Sequence, residues 1–144
     1  MVLDWDRSSR ELNIVKIIKD DKFIRPNDLV AVSANSFILA NDGSAQSQII
    51  ETIHQFSMIP TGSIVYYDGQ KTSWLLSKTT SPSSIVVHPD GKHLIISRAS
   101  AKMLSVYIRK KKDYSLSHLF DIPLGTTTDN LSLDKEGAIW VVSY

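Results

Sequence analysis

The chain has 144 residues, of which 42% are hydrophobic and 22% are charged. This length fits one domain, and the composition excludes a collagen-like or wholly disordered chain. With 16 basic and 15 acidic residues the net charge is +1, which gives no electrostatic reason to expect a nucleic acid or an anionic membrane as partner. Cysteine is absent, which excludes disulfides, thiolate zinc sites and a cysteine nucleophile.

The N-terminal residues do not predict a signal peptide, and strand-like residues lie near both ends of the chain. The first seven residues include Asp4, Asp6 and Arg7 and lack an apolar core, so they do not form a signal peptide. No run of about 18 apolar residues predicts a transmembrane segment. Strand-like apolar residues lie close to both termini, at residues 2–3 and 139–142. We therefore expect both ends to be cut from a longer fold, and no compartment is predicted.

Short β-branched runs separated by Gly, Asn, Asp, Ser and Pro clusters predict an all-β chain. Residues 44–59 are the one helix candidate, because isoleucines and a phenylalanine recur there at helical spacing. Trp74 and Trp140 lie within predicted strands, and we expect them in the core. In chain order the predicted strands are residues 12–18, 28–32, 37–40, 63–67, 72–76, 84–88, 93–97, 103–109, 115–119, 130–133 and 138–142.

Three segments repeat one pattern: a small polar pair, a strand, a turn and a second strand. The polar pairs are Asn27-Asp28, Ser83-Ser84 and Asp129-Asn130. Positions 28 and 84 are 56 residues apart, and positions 84 and 130 are 46 apart. Repeats of this length with about four strands each are typical of β-propeller blades. Residues 1–144 are thus predicted to form a partial propeller of about three blades, with inner strands starting near residues 28, 84 and 130.

The starts of the inner strands of a propeller surround one central channel. A ring of carboxylate and amide oxygens at that place is what a hard cation such as Ca²⁺ prefers. The alternative is that Asn, Asp and Ser start these strands because they form Asx and ST turns. The predicted calcium ligands are Asn27, Asp28, Ser83, Asp129 and Asn130.

An ordered set of motifs resembles the paraoxonase/arylesterase family over essentially the whole chain, which corresponds to the middle part of a family member. The resemblance implies a six-bladed propeller with two Ca²⁺ ions in its channel, acting as a lactonase and arylesterase on a small ester or lactone. Family members are often secretory. The motifs are Pro26-Asn27-Asp28-Leu29-Val30-Ala31-Val32, Asn41-Asp42, Ile64-Val65-Tyr66-Tyr67, Pro89-Asp90-Gly91-Lys92, Leu104-Ser105-Val106-Tyr107 and Thr128-Asp129-Asn130-Leu131-Ser132-Leu133-Asp134.

The same resemblance implies roles for single residues. Asn27, Asp129 and Asn130 match ligands of a catalytic calcium, and Asp28 matches a ligand of a structural calcium. Ser83 stands where the family has an asparagine ligand, and a neutral hydroxyl is a poorer calcium ligand than an amide. The family's acidic ligand pair and its histidine pair for activating water lie before Met1, so no catalytic residue is assigned.

Two other interpretations stay open. The chain fits a non-catalytic propeller module that binds a partner, or a second copy of itself, through open blade edges. It also fits a truncated gene product with no function of its own. Family members often place histidine after Asn41-Asp42, where this chain has Gly43.

The remaining charged and titratable residues are expected to be solvated or at the edge of the core. The basic run at residues 109–112 predicts a hairpin tip rather than a nucleic-acid surface, because no aromatic residues are interleaved with it. Among the four histidines, His88 and His93 flank one turn and are placed to approach each other. The other two are His54 and His118.

Overall fold

The computed structural model describes residues 1–110 and 114–144. Within these residues the strands are antiparallel and one helix follows the fourth strand. In chain order the elements are β1 Val2–Asp6, β2 Glu11–Lys16, β3 Pro26–Ala31, β4 Phe37–Asn41, α1 Gln48–Phe56, β5 Gly62–Tyr67, β6 Thr72–Thr79, β7 Pro82–Val87, β8 His93–Arg98, β9 Met103–Arg109, β10 Leu116–Pro123, β11 Thr128–Leu133 and β12 Ile139–Ser143.

The strands form two complete four-stranded sheets flanked by two hairpins. The four-stranded sheets are the meanders β3-β4-β5-β6 and β7-β8-β9-β10, and the hairpins are β1-β2 and β11-β12. Strand β3 contacts β7, and β7 contacts β11, so the first strands of successive sheets lie side by side. We call β3, β7 and β11 the inner strands. The chain is therefore an all-β partial propeller, as the sequence predicts.

Two apolar clusters hold the sheets together. In β7, successive residues Ile85 and Val86 point to opposite faces, because side chains alternate along a strand. Ile85 packs between the two four-stranded sheets, whereas Val86 packs against Leu131 of β11. Strands β7, β8 and β9 are thus buried on both faces over most of their length, whereas the edge strand β10 is largely exposed. The first cluster contains Ile38, Ala40, Ile64, Tyr66, Ile85, Leu94, Ile96 and Tyr107, and the second Val86, Ile95, Leu104, Val106 and Leu131.

Hydrogen bonds also join the three inner strands through one serine. The Ser84 hydroxyl donates to Asp28 Oδ2 at 2.5 Å, and the Ile85 amide donates to the same oxygen at 2.9 Å. Ser84 Oγ accepts the Leu131 amide N–H at 3.0 Å. Because Ser84 is buried, these bonds are shielded from water. One hydroxyl therefore links β3, β7 and β11.

Helix α1 confirms the helix candidate and is anchored by a buried carboxylate. Glu51 has no exposed surface, and its Oε2 accepts the amide N–H groups of Ser44 and Ala45 at 3.2 and 3.0 Å. A Cβ atom added at Gly43 would lie 2.0 Å from Glu51 Cδ. Any side chain at position 43 would collide with this carboxylate, which explains why glycine stands there. No helix among residues 1–110 and 114–144 is long and apolar enough to cross a membrane.

The expectation that Trp74 and Trp140 lie in the core is wrong. Trp74 is 46% exposed and Trp140 is 66% exposed. Trp74 belongs to β6, the last strand of its sheet, and Trp140 belongs to β12, which pairs only with β11 in the described sheets. Residues on such edge strands have neighbours on one side, so solvent reaches their side chains. The Trp140 indole N–H donates to Asp134 Oδ2 at 3.0 Å.

The predicted basic hairpin tip falls partly outside the described residues. Arg109 ends β9, and its guanidinium donates to the Gly91 carbonyl oxygen at 2.9 Å. The guanidinium also lies 5.3 Å from the centre of the Tyr114 ring. Lys111 and Lys112 are outside the described residues, so the solvated tip stays a prediction.

Replacing Ser84 with alanine is expected to weaken the contact between sheets. The change leaves the buried Leu131 N–H without its acceptor, which lowers the free energy of unfolding by about 1–3 kcal/mol. Ser132→Ala, at an exposed position on the same strand as Leu131, is the matched control and should change it by less than about 0.5 kcal/mol. Urea denaturation measures both, and equal midpoints for the two variants would contradict the linking role.

The packing of Gly43 against Glu51 predicts a coupling between the two positions. Gly43→Ala should destabilise the protein while Glu51 is present, because the new methyl group collides with the carboxyl group. In a Glu51→Ala background the space is free, so Gly43→Ala should cost at least about 1 kcal/mol less. A double-mutant cycle followed by urea denaturation measures the difference, and additive effects would show that the two side chains do not compete for space.

Candidate metal centre

The inner strands share an irregularity near their starts. In β3, β7 and β11 the pairing register shifts within the first four residues, which is the signature of a β-bulge or a related irregularity. Bulges re-aim side chains out of the regular alternation and occur often beside functional sites. The residues inside these shifts are four of the five predicted calcium ligands: Asn27, Ser83, Asp129 and Asn130.

Asn27 is exposed, and a salt-bridged aspartate orients its amide. Asn27 Nδ2 donates to Asp42 Oδ2 at 3.2 Å. The other oxygen of Asp42 accepts Arg25 Nε at 2.8 Å, so the aspartate is itself held in place. Because the amide nitrogen is engaged, the amide oxygen is the atom that Asn27 offers to a cation. Hydrogen bonds of this kind commonly orient metal ligands.

Asp28 is half-buried, and three donors already occupy its carboxylate. Ser84 and Ile85 donate to Oδ2, and its own neighbour Leu29 donates its amide N–H to Oδ1 at 2.8 Å. A carboxylate has about four lone-pair sites. About one site therefore remains for a cation in this arrangement.

Ser83 is buried, and its hydroxyl points toward β8 and β11. Ser83 Oγ lies 3.1 Å from Ser97 Oγ and 3.3 Å from each of the Thr128 and Asp129 carbonyl oxygens. A hydroxyl has one proton, so it serves these acceptors one at a time. Metal coordination by Ser83 would compete with these bonds, and its role as a ligand stays a prediction.

Asp129 is half-buried and paired with a tyrosine, while its neighbour Asn130 is exposed. The Tyr144 hydroxyl donates to Asp129 Oδ2 at 2.7 Å. This hydrogen bond and the charge of the carboxylate raise the pKa of Tyr144, because both disfavour a second negative charge. The Tyr144 hydroxyl therefore holds one oxygen of the Asp129 carboxylate in place.

The donor chemistry of these residues fits a hard cation. The two carboxylates and the two amides offer oxygen atoms only, and Ca²⁺ takes about 6–8 oxygen ligands. The hydrogen bonds through Ser84 and Ser83 bring Asp28 and the Asp129 backbone together, whereas the described contact of Asn27 is with Asp42. Backbone carbonyls or water would have to complete the coordination shell.

Sequence reasoning missed the residues that position this site. Asp42 belongs to a noted motif, yet nothing in the sequence pairs it with Arg25, which lies 17 residues away. The sequence indicates Ser84 only as the partner of Ser83 in a polar pair, because its link across three strands depends on the packing of the sheets. A signal was available for Asp42 alone, in its position directly after an inner hairpin.

A family model described as Arylesterase matches residues 2–144. Serum paraoxonase/arylesterase 2 of Rattus norvegicus is 26% identical over 141 residues, which cover 97% of this chain and 40% of that protein. The Gallus gallus protein of the same name is 29% identical over 127 residues, covering 88% of this chain and 36% of that protein. The chain thus spans about 40% of the length of these curated relatives.

Solved structures are similar at lower identity. A putative gluconolactonase aligns with a TM-score of 0.65 and 15% identity, covering 94% of this chain and 47% of the other. Regucalcin, a calcium-binding protein of Agrobacterium tumefaciens, aligns with a TM-score of 0.61 and 17% identity, covering 83% and 38%. These similarities agree with the propeller arrangement. Because the family model matches nearly every residue, the chain belongs to the arylesterase family.

Proposed function

We propose that the chain is a segment of a calcium-dependent hydrolase that acts on a small ester or lactone. The family match over residues 2–144 is the observation that carries the proposal. The oxygen donors at the starts of the inner strands support the calcium requirement. The described strands, in a chain that spans about 40% of its relatives, fit about half of a six-bladed ring.

Asn27, Asp129 and Asn130 hold the catalytic calcium in this proposal, and Asp28 holds a second, structural ion. Calcium held by these residues would polarise the ester carbonyl and would stabilise the negative charge that develops on its oxygen. Asp42 keeps the Asn27 amide oriented through its bond to Nδ2. Ser83 would add a weaker ligand only after giving up its bonds to β11. The catalytic base is not assigned to a residue of this chain.

A second candidate function is a non-catalytic module that associates through its edges. Strands β2 and β12 each pair with one neighbour in the described sheets and expose large apolar side chains. Exposed apolar edge strands favour pairing with another chain, including a second copy. The exposed residues are Leu12, Ile14 and Val15 on β2, and Trp140 and Val142 on β12. A truncated product without function predicts neither calcium binding nor association.

Calcium is expected to raise the melting temperature, because a ligand that binds the folded state stabilises it by about 2.7 kcal/mol at a hundred times its Kd. Asp129→Asn should lose at least half of this shift, since it removes one carboxylate ligand. Asp4→Asn, which removes the same charge on exposed β1, should keep the full shift. Differential scanning calorimetry with calcium titration measures these values. No shift in the wild type, or equal shifts in both variants, would overturn the metal assignment.

Any hydrolysis of a phenyl ester or a lactone by this incomplete segment is expected to depend on calcium. A chelator should abolish the rate, added Ca²⁺ should restore it, and Asp129→Asn should lower it at least tenfold, while Asp4→Asn should not. The solution mass is measured on the same samples by light scattering. Hydrolysis that survives the chelator contradicts the proposal, and a dimer that neither binds calcium nor hydrolyses either substrate supports the non-catalytic module.

A further inference from the structure

The turn between β7 and β8 brings two imidazoles to one face of the sheet. The His88 amide N–H donates to the His93 carbonyl oxygen at 2.9 Å, which closes the turn. Residues directly opposite each other in an antiparallel pair point to the same face. His88 and His93 are such a pair, and their ring centres are 6.2 Å apart.

Asp90, inside the same turn, is aimed at both rings. Its Oδ1 accepts the amide N–H groups of Lys92 and His93 at 2.8 and 3.0 Å, which anchors the carboxylate. Its Oδ2 lies 3.1 Å from His88 Nδ1 and 2.6 Å from His93 Nδ1.

These three side chains present one ligand set. His88, Asp90 and His93 offer ligand atoms that all lie within 4.8 Å of one another. In a tetrahedral zinc site with bonds of about 2.0–2.2 Å, ligand atoms are about 3.3 Å apart. Small side-chain rotations therefore suffice to place an ion between them. The side chains are 34 to 38% exposed, so an ion can enter from solvent.

We propose that His88, Asp90 and His93 form a site for a divalent transition metal of the zinc type. Two imidazole nitrogens and one carboxylate suit Zn²⁺ rather than Ca²⁺, which prefers oxygen ligands. The fourth position is open to water. The anchored Oδ1 of Asp90 keeps Oδ2 in place, as hydrogen bonds to ligand carboxylates do in metal sites.

This site is separate from the calcium ligands. His88 follows the end of β7, whereas Ser83 lies at its start, and five residues of strand span about 17 Å. A Cβ atom added at Gly137 would lie 3.6 Å from His88 Nε2, so the site borders the turn between β11 and β12. A bound metal would therefore stiffen the β7–β8 turn where two sheets meet.

The chain offers a matched control at a second histidine–aspartate pair. His118 Nε2 lies 2.9 Å from Asp121 Oδ1, at a similar exposure and the same three-residue separation as Asp90 and His93. The histidine–aspartate metal cluster found among residues 1–110 and 114–144 does not include this pair. One imidazole and one carboxylate supply only two ligands, so His118 should contribute nothing measurable to zinc binding.

The test is a calorimetric titration of the purified protein with ZnCl₂ alone, then with CaCl₂ present. We expect one zinc ion per chain, with unchanged affinity in calcium. His88→Ala, His93→Ala and Asp90→Asn should each weaken binding at least tenfold, and His118→Ala should not. Asp129→Asn should leave the zinc affinity unchanged. The zinc proposal can therefore fail while the calcium proposal stands, and the calcium proposal can fail while the zinc proposal stands.

A measurement on the wild type makes the result independent of variant folding. Histidine modification by diethyl pyrocarbonate, mapped by mass spectrometry, should slow at His88 and His93 when Zn²⁺ is added and stay unchanged at His54 and His118. Absence of zinc binding, equal protection of all four histidines, or unchanged affinity in the His88→Ala and His93→Ala variants would overturn the proposal.

Discussion

The buried hydroxyl of Ser84 is the contact on which the candidate site depends. It donates to Asp28 on one side and accepts the Leu131 amide on the other, so three inner strands meet at one atom. A buried hydroxyl that both donates and accepts permits little change in the spacing of the strands, because breaking either bond leaves a polar group unpaired. The residues beside it in β3 and β11 are the predicted calcium ligands, and their separation follows from this contact.

The same inner strand carries different donor chemistry at its two ends. Oxygen donors cluster where β3, β7 and β11 start, at the irregularities of the pairing, and imidazole nitrogens lie beyond the other end of β7. Hard cations such as Ca²⁺ prefer oxygen donors, whereas borderline metals such as Zn²⁺ also bind imidazole nitrogens. In both places a carboxylate is oriented by neighbours, Asp42 by Arg25 and Asp90 by the Lys92 amide. Both candidate sites thus lie on the strands and on the turn that joins two of them.

The sequence was sufficient for the helix and for the strands from β2 onward, because these follow from local periodicity, whereas β1 is not among the predicted strands. The irregular pairing at Asn27 and Asp129 could not be predicted, since register depends on the partner strand. The burial of Trp74 and Trp140 could not be predicted. The alternation of residues along a strand shows which side chains share a face of the sheet, but not whether another element covers that face. Gly43 is explained only by the Glu51 carboxyl group packed against it, a contact between a loop and a helix that spacing does not reveal. The placement of His88 beside His93 was visible from the turn, whereas the aim of Asp90 was not.

Terbium luminescence tests the central claim, a hard-cation site at Asp129, most directly. Tb³⁺ is a hard ion that takes oxygen ligands as Ca²⁺ does, and the Tyr144 hydroxyl lies 2.7 Å from Asp129 Oδ2, close enough for the ring to sensitise a bound ion. The site described here predicts sensitised emission that Ca²⁺ displaces, that Asp129→Asn abolishes and that Tyr144→Phe reduces. Emission that is absent, or that is unchanged in the Asp129→Asn variant, would contradict it.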